Sequence, residues 1–200
     1  VVISPGVPTG SIPARYVDRK DGEVIGEVEL AYRFLRGRMV GITGSNGKTT
    51  TTTLIGEILK DAGLKTLVGG NIGTPLIDLI DQADDDTWTV AELSSFQLET
   101  IVDLHPRVAL CLNVTPNHLD RYDLFSDYAA AKHRIFMNQT PEDLAVLNAD
   151  NEVTAGWASG LRAHVAIFSV AKELDEGLFL RGRELVSRSG GKERVLTTRD

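Results

Sequence analysis

Four places in this sequence put reactive side chains where they could act: a glycine turn followed by Lys-Thr, a glutamate ending an apolar run, a histidine following another, and a lysine on an apolar helix face. The first is GITGSNGKTT, residues 41–50. A β-prone run feeds a turn bearing Gly44 and Gly47, and Lys48-Thr49 opens a helix. Backbone N–H groups from Gly44, Ser45, Asn46 and Gly47 through Thr50 can surround phosphates, with Lys48 reaching the terminal ones and the Thr49 hydroxyl on Mg2+. The strict Walker A spacing fails, because its first glycine position holds Ile42. The strand, turn and helix context still predicts an ATP-type phosphate loop rather than a surface lysine after an N-cap.

Glu92 closes TWTVAE, where a parallel strand should run out, and ligands of open α/β sheets bind beyond such ends. A carboxylate there can hold Mg2+ directly or through water; the plain alternative is a solvated loop glutamate. On a helical wheel for residues 125–137, Phe125, Tyr128, Ile135 and Phe136 share one face and Lys132 falls among them. A buried ammonium is costly, so Lys132 is paired, snorkelling, or neutral. A neutral lysine is a nucleophile, and its carbamate with CO2 would be an oxygen ligand suited to Mg2+. His118, in NVTPNHLDRY, reaches the same edge, but imidazole is not the natural partner of hard Mg2+, and its role stays open from the residues alone.

The elements that must position these groups follow from periodicity and turn residues. EVELAYRFL suits a short helix; MVGIT, KTLVG, TWTVAEL and RVALCLNV read as strands; TPLIDLIDQ and SDYAAAKHRIFMNQ read as helical. A helix from about Thr50 to Ala62 carries Leu54, Ile58 and Ala62 on one face and stops at Gly63. The class is α/β, a mostly parallel sheet flanked by helices. Beyond Asn148, AHVAIFSV, GLFLRGRELVSR and KERVLTTR are expected to form a small peripheral antiparallel portion. Residues 1–25, rich in proline and glycine, read as an interdomain linker ahead of a domain over 26–200.

With 200 residues, 42% hydrophobic and 24% charged, the chain can bury one sizeable core. A net charge of −7 without clustered Lys or Arg argues against a nucleic-acid partner. The single cysteine, Cys111, excludes an internal disulfide and reads as a core thiol in a reducing compartment. No run is long enough for a membrane span and no export signal is evident, so a cytoplasmic location is expected. The sequence starts without Met and stops just after a strand-like run, so part of a longer protein is expected.

GSNGKTT, GGNIGTP, ELSSFQLE, NVTPNHLDRY and YAAAKHRIF, in this order, resemble the Mur ligases over residues 1–150. GGNIG and ELSSFQLE look most like the D-glutamate-adding branch, whereas the phosphate loop is shared with other amino-acid adders and with folylpolyglutamate synthase. The resemblance implies an ATP- and Mg2+-dependent ligase, expected to be a monomer, whose small-molecule substrates are UDP-N-acetylmuramoyl-L-alanine and D-glutamate. It implies three domains, with 1–25 as the tail of a uridine-nucleotide domain and a C-terminal amino-acid-binding domain absent here. By position it gives Lys48 to the ATP phosphates and Thr49 with Glu92 to a first Mg2+. His118 and Lys132, the latter matching a carbamylated lysine, go to a second metal and the substrate carboxylate. Asn71 and Ser94 would contact the muramoyl substrate. Asn117 departs from an Asp expected before the histidine. Another amino-acid-adding ligase and a non-catalytic nucleotide-binding module are the alternatives.

Overall fold

The computed structural model describes residues 1–4, 7, 11–13, 23–116 and 121–198. His118 and Asn117 lie outside the described residues. The short strand β1 (Val2–Ile3) pairs in parallel with β2 (Ile25–Gly26), and helix α1 (Glu27–Phe34) follows directly. The main sheet contains β3 (Arg38–Thr43), β4 (Thr66–Gly70), β5 (Trp88–Glu92), β6 (Val108–Cys111), β7 (Leu144–Asn148), β8 (His164–Ser169), β9 (Gly177–Arg181), β10 (Glu184–Ser189) and β11 (Lys192–Thr198). Its order is β11-β10-β9-β8-β7-β6-β3-β5-β4.

From β4 across to β9 every pairing is parallel, and only β9-β10-β11 is antiparallel. This corrects the expectation for AHVAIFSV: β8 runs parallel to β7, so the antiparallel part extends the edge of the main sheet. The short helix α5 (Glu152–Trp157) and the 3-10 turn Ala158–Gly160 supply the crossover that returns the chain in the same direction.

Alternation along the strands divides the core between two faces. Val40, Ile42 and Val90 point to one side, where Ile55 and Leu59 of α2 (Lys48–Asp61) pack. Met39, Ala91, Ala109 and Cys111 point to the other, against α1, the four-residue α3 (Ser95–Leu98) and α4 (Phe125–His133). The face of α2 holding Leu54 and Ile58 is solvent-exposed, at 58% and 56%. The buried face is instead Thr52 and Gly56. A Cβ on Gly56 would sit 2.5 Å from Val68 Cγ2, so the helix lies on the sheet through its smallest residue. TPLIDLIDQ forms a 3-10 helix, Leu76–Gln82, that buries Leu76 and Leu79.

Candidate active site

The chain leaves β3 toward β4 on one side, while β6 continues to β7 on the other, so the sheet's switch point lies between β3 and β6. A crevice beyond the carboxyl ends of the strands is expected there. The turn Gly44–Gly47 lies at this point. Gly47, at φ 83°, is the N-cap of α2, a left-handed conformation that would cost a side-chain-bearing residue about 1 kcal/mol. No side chain caps this helix and its first turn holds no acid. Its first N–H groups have no acceptor within the helix and carry the positive end of the helix dipole, so this end can receive an anion.

The turn is fastened to the chain leaving β6. Ser45 N–H donates to Asn113 O at 2.9 Å, and the Asn113 carboxamide clasps Asn46, accepting from its N–H at 2.9 Å and donating to its carbonyl at 3.1 Å. The Ser45 hydroxyl donates to Thr115 O at 3.0 Å and accepts from Thr115 N–H at 2.9 Å, so Tyr128, 3.1 Å away, donates its own O–H to Ser45. Ser45 and Asn46 therefore spend their N–H groups on the brace. The groups left to face a ligand are those of Gly47, Lys48, Thr49 and Thr50. The bracing role of Asn113, and the contact of the core residue Tyr128 with Ser45, have no local trace in the sequence beyond one signal at Asn113, an amide soon after an apolar strand.

Glu92 ends β5 and is 2% exposed. Its Oε2 accepts from the Thr49 hydroxyl at 2.8 Å and its Oε1 from Asn71 Nδ2 at 3.0 Å. Both donors are neutral, and among the described residues no ion pair forms with it. A buried carboxylate without a cation is costly, so a divalent ion beside Thr49 and Glu92 fits the donor set. Among the described residues no three His, Cys, Asp or Glu side chains gather as a metal cluster. An ion here would take one or two protein oxygens and complete its shell with water and phosphate, which is how Mg2+ is commonly held.

Lys48 Nζ donates to Gly44 O at 3.0 Å and Ser45 O at 3.3 Å. Lys132, 2% exposed, donates to the same Gly44 O at 2.9 Å and lies 4.6 Å from the centre of the Tyr128 ring. It neither snorkels nor, among the described residues, pairs with an acid. Burial, with the nearby Lys48 charge adding to it, lowers its pKa to about 8. The core stripe holds as read, with Tyr128, Ile135 and Phe136 buried and Phe125 half-buried. Cys111 is a buried free thiol whose pKa burial pushes up to about 12.

Asn71 follows β4 and lines a cavity of about 410 Å3 together with Ser4, Glu27, Pro75 and Gln97. Ser94 forms a capping box with Gln97 at the start of α3: its Oγ accepts from Gln97 N–H at 3.3 Å, and Gln97 Oε1 accepts from Ser94 N–H at 2.9 Å. The S-x-x-Q spacing was the available sign of that role.

Fold and site together define an α/β protein with a glycine turn at the switch point of a mostly parallel sheet, next to a buried carboxylate and a buried lysine. The chain belongs to the Mur ligase family: the model of the Mur ligase middle domain matches residues 42–198. It is 51% identical over its whole length to UDP-N-acetylmuramoylalanine-D-glutamate ligase of Pelotomaculum thermopropionicum, and 53% identical over 197 residues to that of Koribacter versatilis. It covers 44% and 43% of those two proteins. Among solved structures, a UDP-N-acetylmuramoyl-L-alanyl-D-glutamate-2,6-diaminopimelate ligase superposes with a TM-score of 0.65 at 20% identity, covering 88% of this chain and 47% of that one. The MurF ligase from Thermotoga maritima in complex with ADP gives 0.60 at 18% identity, covering 97% and 54%. Among the described residues no helix is long and apolar enough to cross a membrane.

Proposed function

We propose that this chain is the ATP-binding central part of a cytoplasmic amide ligase that joins D-glutamate to UDP-N-acetylmuramoyl-L-alanine in peptidoglycan precursor synthesis. One juxtaposition carries the catalytic reading: Lys48, Thr49, Glu92 and Lys132 meet around a single glycine turn at the carboxyl edge of the sheet. The choice of substrates rests on relatives named for D-glutamate ligation at 51% and 53% identity. Residues 26–200 belong to the ATP-binding domain and 1–25 to the tail of a preceding domain and its linker.

In this reading the N–H groups from Gly47 to Thr50 and the Lys48 ammonium hold the ATP phosphates. Thr49 and Glu92 hold Mg2+, with His118 and Lys132 serving a second ion and the muramoyl carboxylate. Mg2+ supplies neutralisation of phosphate charge, the main task in phosphoryl transfer. Lys132, neutral above about pH 8, adds to CO2 to form an N–C bond and releases one proton, giving an anionic oxygen ligand in place of a buried ammonium. Lys48 leaves the Gly44 carbonyl for the γ-phosphate and keeps two anions in reach of each other while the substrate carboxylate takes the phosphoryl group from ATP. The resulting acyl phosphate loses inorganic phosphate when the D-glutamate amine attacks its acyl carbon, and one proton is released with the amide.

The test is ATP-dependent phosphate release by the intact protein with UDP-N-acetylmuramoyl-L-alanine and, in turn, D-glutamate, L-glutamate, glycine and diaminopimelate. Release with D-glutamate alone is the expected result. Release with another amino acid reassigns the substrate, and none with any of them leaves a nucleotide-binding module. The 200-residue chain alone is expected to form no amide.

A further inference from the structure

We infer that Asn71 is the positioning residue of the Glu92 carboxylate, and that it thereby links the 410 Å3 cavity to the cation site. The inference rests on the reading of Glu92 as a cation ligand. Asn71 is tied to Glu92 twice: its backbone N–H donates to Glu92 O at 2.8 Å and its side-chain Nδ2 to Glu92 Oε1 at 3.0 Å. The backbone tie is enforced by Gly70, where a Cβ would lie 2.3 Å from Glu92 O, so only glycine lets the β4 turn approach the end of β5 this closely. The backbone tie places the carboxamide beside the residue it serves.

The two oxygens of Glu92 are thus divided. Oε1 belongs to Asn71 and Oε2 to Thr49, in the first turn of α2. Fixing Oε1 fixes the plane of the carboxylate, and so aims Oε2 at the glycine turn, where a cation shared with a nucleotide must sit. A carboxamide also has a second N–H and a carbonyl oxygen, and Asn71 is among the residues lining the cavity. A polar ligand there that draws on the same amide must alter its bond to Glu92. Cation and cavity ligand are therefore linked, and each changes the other's affinity by the same factor.

The experiment measures Mn2+ binding by electron paramagnetic resonance in the intact protein, in the presence of a non-hydrolysable ATP analogue, for wild type, Asn71→Ala and Asn71→Ser. Both variants lose the bond to Oε1, so whichever folds, as judged by circular dichroism, decides the matter. The Mn2+ midpoint is expected to rise on the order of 10–100-fold, the usual cost of removing an outer partner of a metal ligand, while analogue affinity without metal is unchanged. In a Glu92→Gln background Asn71→Ala should add nothing further to that midpoint, as for two residues acting through one group. A variant that raises only the KM for the muramoyl substrate and leaves the Mn2+ midpoint unmoved overturns the inference and makes Asn71 a substrate contact alone. A wild type that binds no Mn2+ with the analogue removes the cation reading itself, and this inference with it.

Discussion

Lys48 and Lys132 donate to one oxygen: the carbonyl of Gly44 accepts from the first at 3.0 Å and from the second at 2.9 Å. Two ammonium groups on a single neutral acceptor repel, and the more buried one bears the consequence. Lys132 has its pKa lowered from 10.5 to about 8, by burial first and by Lys48 second. The unfolded chain thus binds more protons than the folded one between pH 8 and 10.5, and stability rises with pH across that window. The penalty is complete below pH 8 and gone above 10.5. Lys132→Met removes the charge and keeps the bulk. It is expected to stabilise the fold by about 1–2 kcal/mol at pH 7, after loss of the bond to Gly44, and to show no gain at pH 10.5. Urea unfolding at the two pH values measures the difference; a Met variant weaker than wild type at pH 7 would mean the ammonium is compensated.

Lys48 and Asn113 act on the same turn in different ways, and their substitutions should separate. Among the described residues Lys48 hydrogen-bonds only the carbonyls of its own turn, so Lys48→Ala should leave stability within about 1 kcal/mol while weakening ATP binding by roughly 10–100-fold, the worth of a charge-assisted hydrogen bond. Asn113→Ala removes the clasp on Asn46 without touching any group that faces the ligand. ATP affinity is expected to fall less, by about fivefold to tenfold, and amide exchange at Asn46 to quicken. Calorimetric titration with ATP and hydrogen exchange of the turn measure both. Unchanged exchange in Asn113→Ala would show that the clasp does not hold the turn.

What the sequence made legible was what a local pattern can carry. Lys132 was visible because Tyr128, Ile135 and Phe136 surround it at helical spacing, and Glu92 because an apolar run ended on it. The clasp of Asn113 on Asn46 joins residues 67 positions apart, and the contact of Tyr128 with Ser45 spans 83, so neither leaves a periodic trace. The buried face of α2 is not legible for a related reason. In a helix opening KTTTTTLIG, the close approach at Gly56 sets which face is buried, with Ile55 and Leu59 packing beside it and Leu54 and Ile58 left outside. The parallel direction of β8 depends on a crossover too short to show a clear helical period.

At the opposite end of the sheet from the site, Asp143 braces the starts of β6 and β7. Its side chain is fully buried and accepts from His105 Nε2 at 2.6 Å, Arg107 Nη1 at 3.0 Å, Thr140 N–H at 2.7 Å and Thr140 Oγ1 at 2.9 Å. Burial alone would raise its pKa, but the bonds from His105 and Thr140 outweigh it and hold the carboxyl at about 2. A carboxyl depressed from 3.8 contributes stability above pH 3.8 and loses it as pH falls toward 2. Asp143→Asn is expected to destabilise by about 2–3 kcal/mol at pH 7, since an amide cannot accept from all four donors. The gap from wild type should close between pH 4 and pH 2. A gap that stays constant over that range would show that the charge on Asp143 contributes nothing.

Gly70 and Gly63 both have a positive φ, 109° and 77°, yet they should respond differently to alanine. Gly63 ends α2 in open space, with nothing within 4 Å of where an alanine methyl would lie, so Gly63→Ala meets only the left-handed backbone penalty of about 1 kcal/mol. At Gly70 the same methyl would sit 2.3 Å from Glu92 O and 3.1 Å from Glu92 N, backbone atoms that cannot rotate aside. Gly70→Ala must therefore push the β4 turn off the end of β5, stretching the Asn71 N–H bond to Glu92 O. A loss of about 3 kcal/mol or more is expected, against about 1 for Gly63→Ala. Thermal unfolding of the two variants side by side gives the comparison. Equal losses would mean that the turn can relax away from Glu92, and that the close approach of β4 to β5 is not needed to hold the carboxylate in place.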